Sequence, residues 1–150
     1  MNIKLTERRK LQIFPLSDIH IGSPQCNYNF LQKWKEVVNG TKSEKIIYLG
    51  GDLIDVAKKS LSDSAYRQNM SVEEQVDYVI KFFKPLKKYI KGAVKGNHEN
   101  RLKKDYDVDI MQIITDALDI PYYGSSIYDT LYINEEPFIY FFNGLKNLIT

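Results

Sequence analysis

The chain has 150 residues, 43% hydrophobic and 27% charged, with 21 Lys+Arg against 19 Asp+Glu. A chain of this length buries roughly 70% of the surface that its unfolded form exposes, so it can fold without disulfides or a structural metal, and its composition argues against disorder. A net charge of +2 is far from the basic excess that would by itself point to nucleic acid, and the single Cys26 excludes an internal disulfide framework or a Cys-rich zinc site.

The charged start at residues 1–10 is followed by no apolar run of signal length, and the longest apolar stretch is 138–142. Secretion and membrane spanning are therefore disfavoured, and a cytoplasmic location is expected. With no repeat, low-complexity tract or linker, residues 1–150 read as a single domain or part of one.

In chain order, residues 11–16 form an apolar segment interrupted by Pro15, which suits a strand end or an edge strand. Phe30, Leu31, Trp34, Val37 and Val38 then mark one face of a helix, with Asn27 or Asn29 to cap it and Gly40 to end it. Ile46, Ile47, Tyr48 and Leu49 read as a strand buried on both faces, stopped by Gly50-Gly51. Ser71 and Glu74 form a capping-box signature, and a helix from near Val72 runs until Pro85 forces a kink or break. Residues 92–95 are a weak third strand, Ile110 to Leu118 a further helix, and 127–133 with 138–142 an antiparallel hairpin about a turn at 134–137. The β-α-β-α-β order implies a parallel sheet in an α/β fold.

Polar clusters follow directly on the three proposed strands: Asp18-Ile19-His20, Gly51-Asp52-Leu53-Ile54-Asp55 and Gly96-Asn97-His98-Glu99. The carboxyl ends of parallel strands face one crevice, so these clusters can converge there. Asp18 and His20, two apart in an extended chain, share a face and can chelate one ion. The two oxygens of Asp52 can bridge two cations, and the Asn97 amide oxygen is a neutral ligand. Carboxylate, imidazole and amide donors without thiolate point to Mn, Fe or Zn. Each cluster alone also reads as an ordinary post-strand turn or cap. Their joint occurrence in order, holding both histidines of the chain, favours the site.

With these motifs intact, the sequence resembles the calcineurin-like metallophosphoesterase superfamily. The resemblance is nearer to phage and bacterial metallophosphoesterases through Ser17-Asp18-Ile19-His20-Ile21-Gly22-Ser23, Gly51-Asp52-Leu53-Ile54-Asp55, Met70-Ser71 with Glu74-Gln75, and Gly96-Asn97-His98-Glu99-Asn100-Arg101. It implies a β-sandwich flanked by helices (αββα) and hydrolysis of a phosphomonoester or phosphodiester by a hydroxide activated between two divalent ions, about 3.5–4 Å apart. By that resemblance Asp18 and His20 hold the first metal, Asp52 bridges, Asn97 holds the second, and His98 faces the scissile phosphate with Glu99 positioning its ring. Arg101 would steady a phosphate oxygen, although a surface Arg without a role is the simpler reading.

The superfamily's complete site also needs histidines from its second half, and here His20 and His98 are the only two. Asn143, in Phe141-Phe142-Asn143-Gly144, stands where a ligand histidine is expected. The expectation is a domain truncated at its C-terminal end, holding one ion or none well, with a bare strand edge around 138–142. Such a chain is completed by another polypeptide or a second copy, or is an inactive remnant that binds metal, phosphate or a protein. The partners expected are a phosphoester, nucleic acid or nucleotide included, and no membrane. A nucleotide-binding or interaction module without hydrolysis is the alternative class, but neither Gly-x-Gly-x-x-Gly nor a P-loop motif is present. The pairs Lys58-Lys59, Lys87-Lys88 and Lys103-Lys104 read as solvated faces more readily than as a polyanion track.

Overall fold

A computed structural model describes residues 2–3, 10–56 and 68–143, with side chains from 10 to 56 and 68 to 138. The Lys58-Lys59 pair and the side chain of Asn143 lie outside the described residues. Strand β1 is Asn2–Ile3, β2 is Leu11–Leu16, β3 is Glu44–Leu49 and β4 is Ile90–Ala93. The last three form a parallel sheet in the order β2-β3-β4, with Ile13 opposite Ile46 and Leu49 opposite Ala93. Pro15 is tolerated because β2 is an edge strand of this sheet, as its missing N–H requires.

The helices lie on one face. Helix α1, Tyr28–Gly40, is capped by Asn27, whose Oδ1 accepts from Phe30 N at 2.9 Å, which settles the choice between Asn27 and Asn29. Helix α2, Val72–Phe83, opens with the expected capping box: Glu74 N donates to Ser71 Oγ (3.2 Å) and Ser71 N to Glu74 Oε2 (2.7 Å). At Pro85 it passes into a 3-10 helix, Lys84–Tyr89. Helix α3 is Asn97–Tyr106 and α4 is Ile110–Leu118.

A second sheet, in the order β1-β5-β6, covers the other face of the first. Its strands β5, Ser126–Ile133, and β6, Glu136–Asn143, form the expected hairpin. The turn is shorter than expected, because Ile133 already pairs with Glu136. Asn134 and Glu135 both take positive φ (53° and 74°), the geometry whose twist matches that of the strands in a two-residue hairpin loop.

Alternation along β3 divides the core. Ile47 and Leu49 pack among the helices, whereas Ile46 and Tyr48 pack with Val94, Ile127 and Leu131 between the sheets. All four residues are buried, as their unbroken apolar run required. The Tyr48 hydroxyl donates to the Asp129 carboxylate and ties the sheets together. The described residues thus form a helix layer on a sheet-on-sheet sandwich, the α/β architecture expected. The third strand begins at Ile90 rather than at 92, and α3 was not expected.

Candidate metal centre

Past the ends of β2 and β3 the backbone ladder continues into the loops. Asp18 N donates to Gly51 O (3.1 Å), His20 N to Asp52 O (3.0 Å) and Ile21 N to Leu53 O (2.9 Å). Asp18, His20 and Asp52 nevertheless all have left-handed backbone, with φ of 56°, 48° and 49°. Non-glycine residues pay for that conformation and hold it where their surroundings over-determine it, which is common at functional sites. The ligand atoms of the three side chains lie within 4.8 Å of one another. Asp18 and His20 therefore do meet, but through paired left-handed turns and not through the extended alternation expected of them.

The third loop is joined to the second by glycines and one carboxylate. A Cβ on Gly51 would lie 2.1 Å from Gly96 N, and one on Gly96 would lie 2.3 Å from Asp52 N, so the backbones approach as only glycines allow. Glu99, 1% exposed in the first turn of α3, accepts from Asp52 N and Gly96 N (2.9 Å each), Leu53 N (2.7 Å) and Ile54 N (3.3 Å). Burial and the neighbouring Asp52 carboxylate push its pKa up, and the N–H donors of Asp52 and Gly96 oppose them. The amide of His98 donates to Asp52 Oδ1 at 2.7 Å, so the buried Asp52 is fixed from both neighbouring loops.

Glu99 was expected to hold the His98 ring; its carboxylate is instead committed to the 52–54 backbone. The ring is held by Asp55, the last residue of the Gly51-Asp52-Leu53-Ile54-Asp55 motif. His98 Nδ1 faces the Asp55 carbonyl oxygen and lies 3.4 Å from Asp55 Oδ1. Asp55 is itself anchored, its N donating to Gln75 Oε1 (3.1 Å) and its Oδ2 accepting from Gln68 Nε2 (3.0 Å). Arg101 is half-buried, with Nη2 3.0 Å from His98 Nε2 and Nη1 3.2 Å from Nδ1. Nδ1 thus faces both an acceptor, the Asp55 carbonyl, and a donor, the Arg101 guanidinium, while Nε2 faces the guanidinium. Arg101 is thus no idle surface residue. Asn97, the first residue of α3, is exposed beside the His98 amide.

The chemistry of these donors fits a metal ion. His20 Nδ1 is buried without a hydrogen bond, with Asp55 Oδ1 3.5 Å away. Burial and the adjacent His98 hold the His20 pKa below its ordinary value, and the two rings meet edge to face with centroids 4.3 Å apart. An imidazole nitrogen without a hydrogen bond, in a cluster that also holds carboxylates, is a donor of the kind that a borderline divalent ion takes. His20, Asp55 and His98 form a second group of the same compactness, sharing His20 with the first.

A cavity of about 460 Å³ opens on this centre, with Asp18, His20, Asp55 and His98 in its wall. Away from it, Lys87 and Lys103 pair with Asp119 (3.4 Å) and Asp107 (2.7 Å), as solvated faces do. No helix among the described residues is long and apolar enough to cross a membrane.

Oxygen and imidazole donors on loops at the carboxyl ends of a parallel sheet define an α/β protein with a site suited to divalent metal. The sequence matches the model of the calcineurin-like phosphoesterases over residues 11–148, and the chain belongs to that family. No curated protein and no solved structure matches it. Membership implies divalent metal ions and phosphoester hydrolysis.

Proposed function

We propose that the chain binds a divalent ion, Mn, Fe or Zn, through Asp18, His20 and Asp52 and hydrolyses a phosphoester in the adjoining cavity. The observation that carries this reading is the convergence of one ligand atom from each of those three side chains within 4.8 Å of one another. Bound there, the metal would supply Lewis acidity toward phosphoryl oxygens and lower the pKa of water. Asn97, exposed on the first turn of α3, is the proposed neutral ligand of a second ion.

The chain's own residues do the rest. Asp55 and Arg101 hold the His98 ring in place. A phosphoryl group entering the cavity competes with His98 Nε2 for the Arg101 guanidinium; Arg101 then steadies a phosphoryl oxygen and Nε2 is released for proton transfer to or from the reacting oxygens. With two histidines in the sequence, turnover by the 150 residues alone is slow, and further imidazoles, from another polypeptide or a second copy, would raise it. The histidine count also favours a second reading, binding of metal and phosphate without turnover.

The test is hydrolysis of bis(p-nitrophenyl) phosphate by protein stripped with chelator and reloaded with Mn. Slow, metal-dependent turnover that falls to background in Asp52→Asn is expected. In His98→Ala the rate falls by about 10²-fold or more, with Mn affinity unchanged. Turnover that survives chelation or Asp52→Asn would overturn the proposal, and tight Mn binding with no turnover would establish the second reading.

A further inference from the structure

Beyond the reacting centre, the cavity runs along the start of α1, where its wall is formed by Ile19, Phe30 and Leu31 with Ser23, Gln25 and Asn27. Leu31 is 1% exposed and belongs to the core, whereas the adjacent Phe30 is 52% exposed. Other large apolar side chains are also exposed, among them Val37 and Tyr106, and single exposed apolar residues need no explanation. Phe30 differs from those two in lining the cavity that also holds Asp18, His20 and His98. The polar groups beside it are a hydroxyl and two carboxamides, all uncharged. Asn27 uses its Oδ1 to cap α1, which leaves its NH₂ as a donor.

We propose that this arm of the cavity is the subsite for the organic group of the phosphoester, and that it selects a planar, uncharged ring with a polar edge, stacked on Phe30. The inference rests on the phosphoesterase reading, since it takes the phosphoryl group to lie against Asp18, His20 and His98. A flat ring gains stacking and apolar contact on Phe30, while Ser23, Gln25 and Asn27 offer donors and acceptors to its rim. A saturated chain gains no stacking, and a second phosphate would meet neutral groups. Nucleobases and substituted phenyl groups share the chemistry recognised here. Phe30 is in these terms a specificity-determining residue and takes no part in bond cleavage.

The test measures binding to the Mn-loaded protein by calorimetry, with phenylphosphonate, adenosine 5′-monophosphate and methylphosphonate as probes. Both ring-bearing probes are expected to bind about tenfold tighter than methylphosphonate. Phe30→Ala should abolish the difference and Phe30→Tyr retain it, and the exposure of the side chain leaves folding intact, which circular dichroism checks. A tighter adenosine probe assigns the polar rim to a nucleobase, and a tighter phenyl probe to an aryl group. Equal affinity for ring and methyl probes, discrimination that survives Phe30→Ala, or no binding of any probe would overturn the inference. Hydrolysis without ring preference would remove this inference and leave the phosphoesterase reading standing; ring preference without hydrolysis would count against that reading and leave Phe30 as a ring-binding residue only.

Discussion

Glu99 shows how much of the site depends on one side chain that touches no candidate ligand atom. Its carboxylate receives four backbone N–H donors from the second and third loops. Glu99→Ala leaves those buried donors unsatisfied, and a loss of about 3 kcal/mol or more is expected in urea denaturation. A loss below about 1 kcal/mol would mean that the loops are held by other contacts. At this scale the sequence was informative where chemistry is carried by residue type: Asp18, His20 and Asp52 were legible because carboxylate and imidazole recur after strands. Asp55 was not, because its role depends on where the first turn of α3 places His98. For the same reason the sequence leaves Arg101 open between a phosphate contact and a surface residue without a role, its partner His98 lying one turn away on α3.

At the scale of elements, two glycines of positive φ make opposite predictions. Gly51 (φ 84°) would drive a Cβ into Gly96 N, whereas Gly124 (φ 67°) has nothing within 4 Å of the same position. Gly124→Ala should cost about 1–2 kcal/mol of conformational strain and leave Mn affinity unchanged. Gly51→Ala should force the second and third loops apart, break the His98-to-Asp52 bond and lower Mn affinity by at least about tenfold, as loss of an outer contact to a ligand does. Equal effects of the two substitutions on a Mn titration would show that loop contact does not set the site.

Helices α1, α2 and α4 were readable because each buries an apolar stripe. Helix α3 was not, since Asn97, His98, Glu99, Asn100, Arg101, Lys103 and Lys104 leave Leu102 nearly alone as an apolar residue. Its start is fixed by Glu99 reaching back to Gly96 N, a signal present in the sequence but masked by the motif that contains it. The start of the third strand is hard to read because residues 90–93 follow the 3-10 helix without a turn, and Gly92 weakens the strand pattern.

For the whole molecule, β3 is the central member, its two faces serving the two parts of the core and its carboxyl end delivering Asp52. The architecture followed from the order of strands and helices, and the hairpin from its alternating aromatics. The β1 strand, only Asn2–Ile3, carries too little pattern to be read. Because the candidate ligands come from loops after two strands, metal binding should stabilise the folded chain against heat, by about 2.7 kcal/mol when free Mn is a hundred times its Kd. Absence of a shift in melting temperature would place the ion elsewhere or nowhere.

The most direct measurement uses the two histidines as reporters, since the chain has no others. In a carbon-13 imidazole spectrum titrated with paramagnetic Mn, both ring signals are expected to broaden away together at substoichiometric ion, and to survive the same addition in Asp52→Asn. Ring signals that stay sharp up to a full equivalent of Mn, or that broaden as readily in Asp52→Asn, would contradict a metal centre built from Asp18, His20 and Asp52.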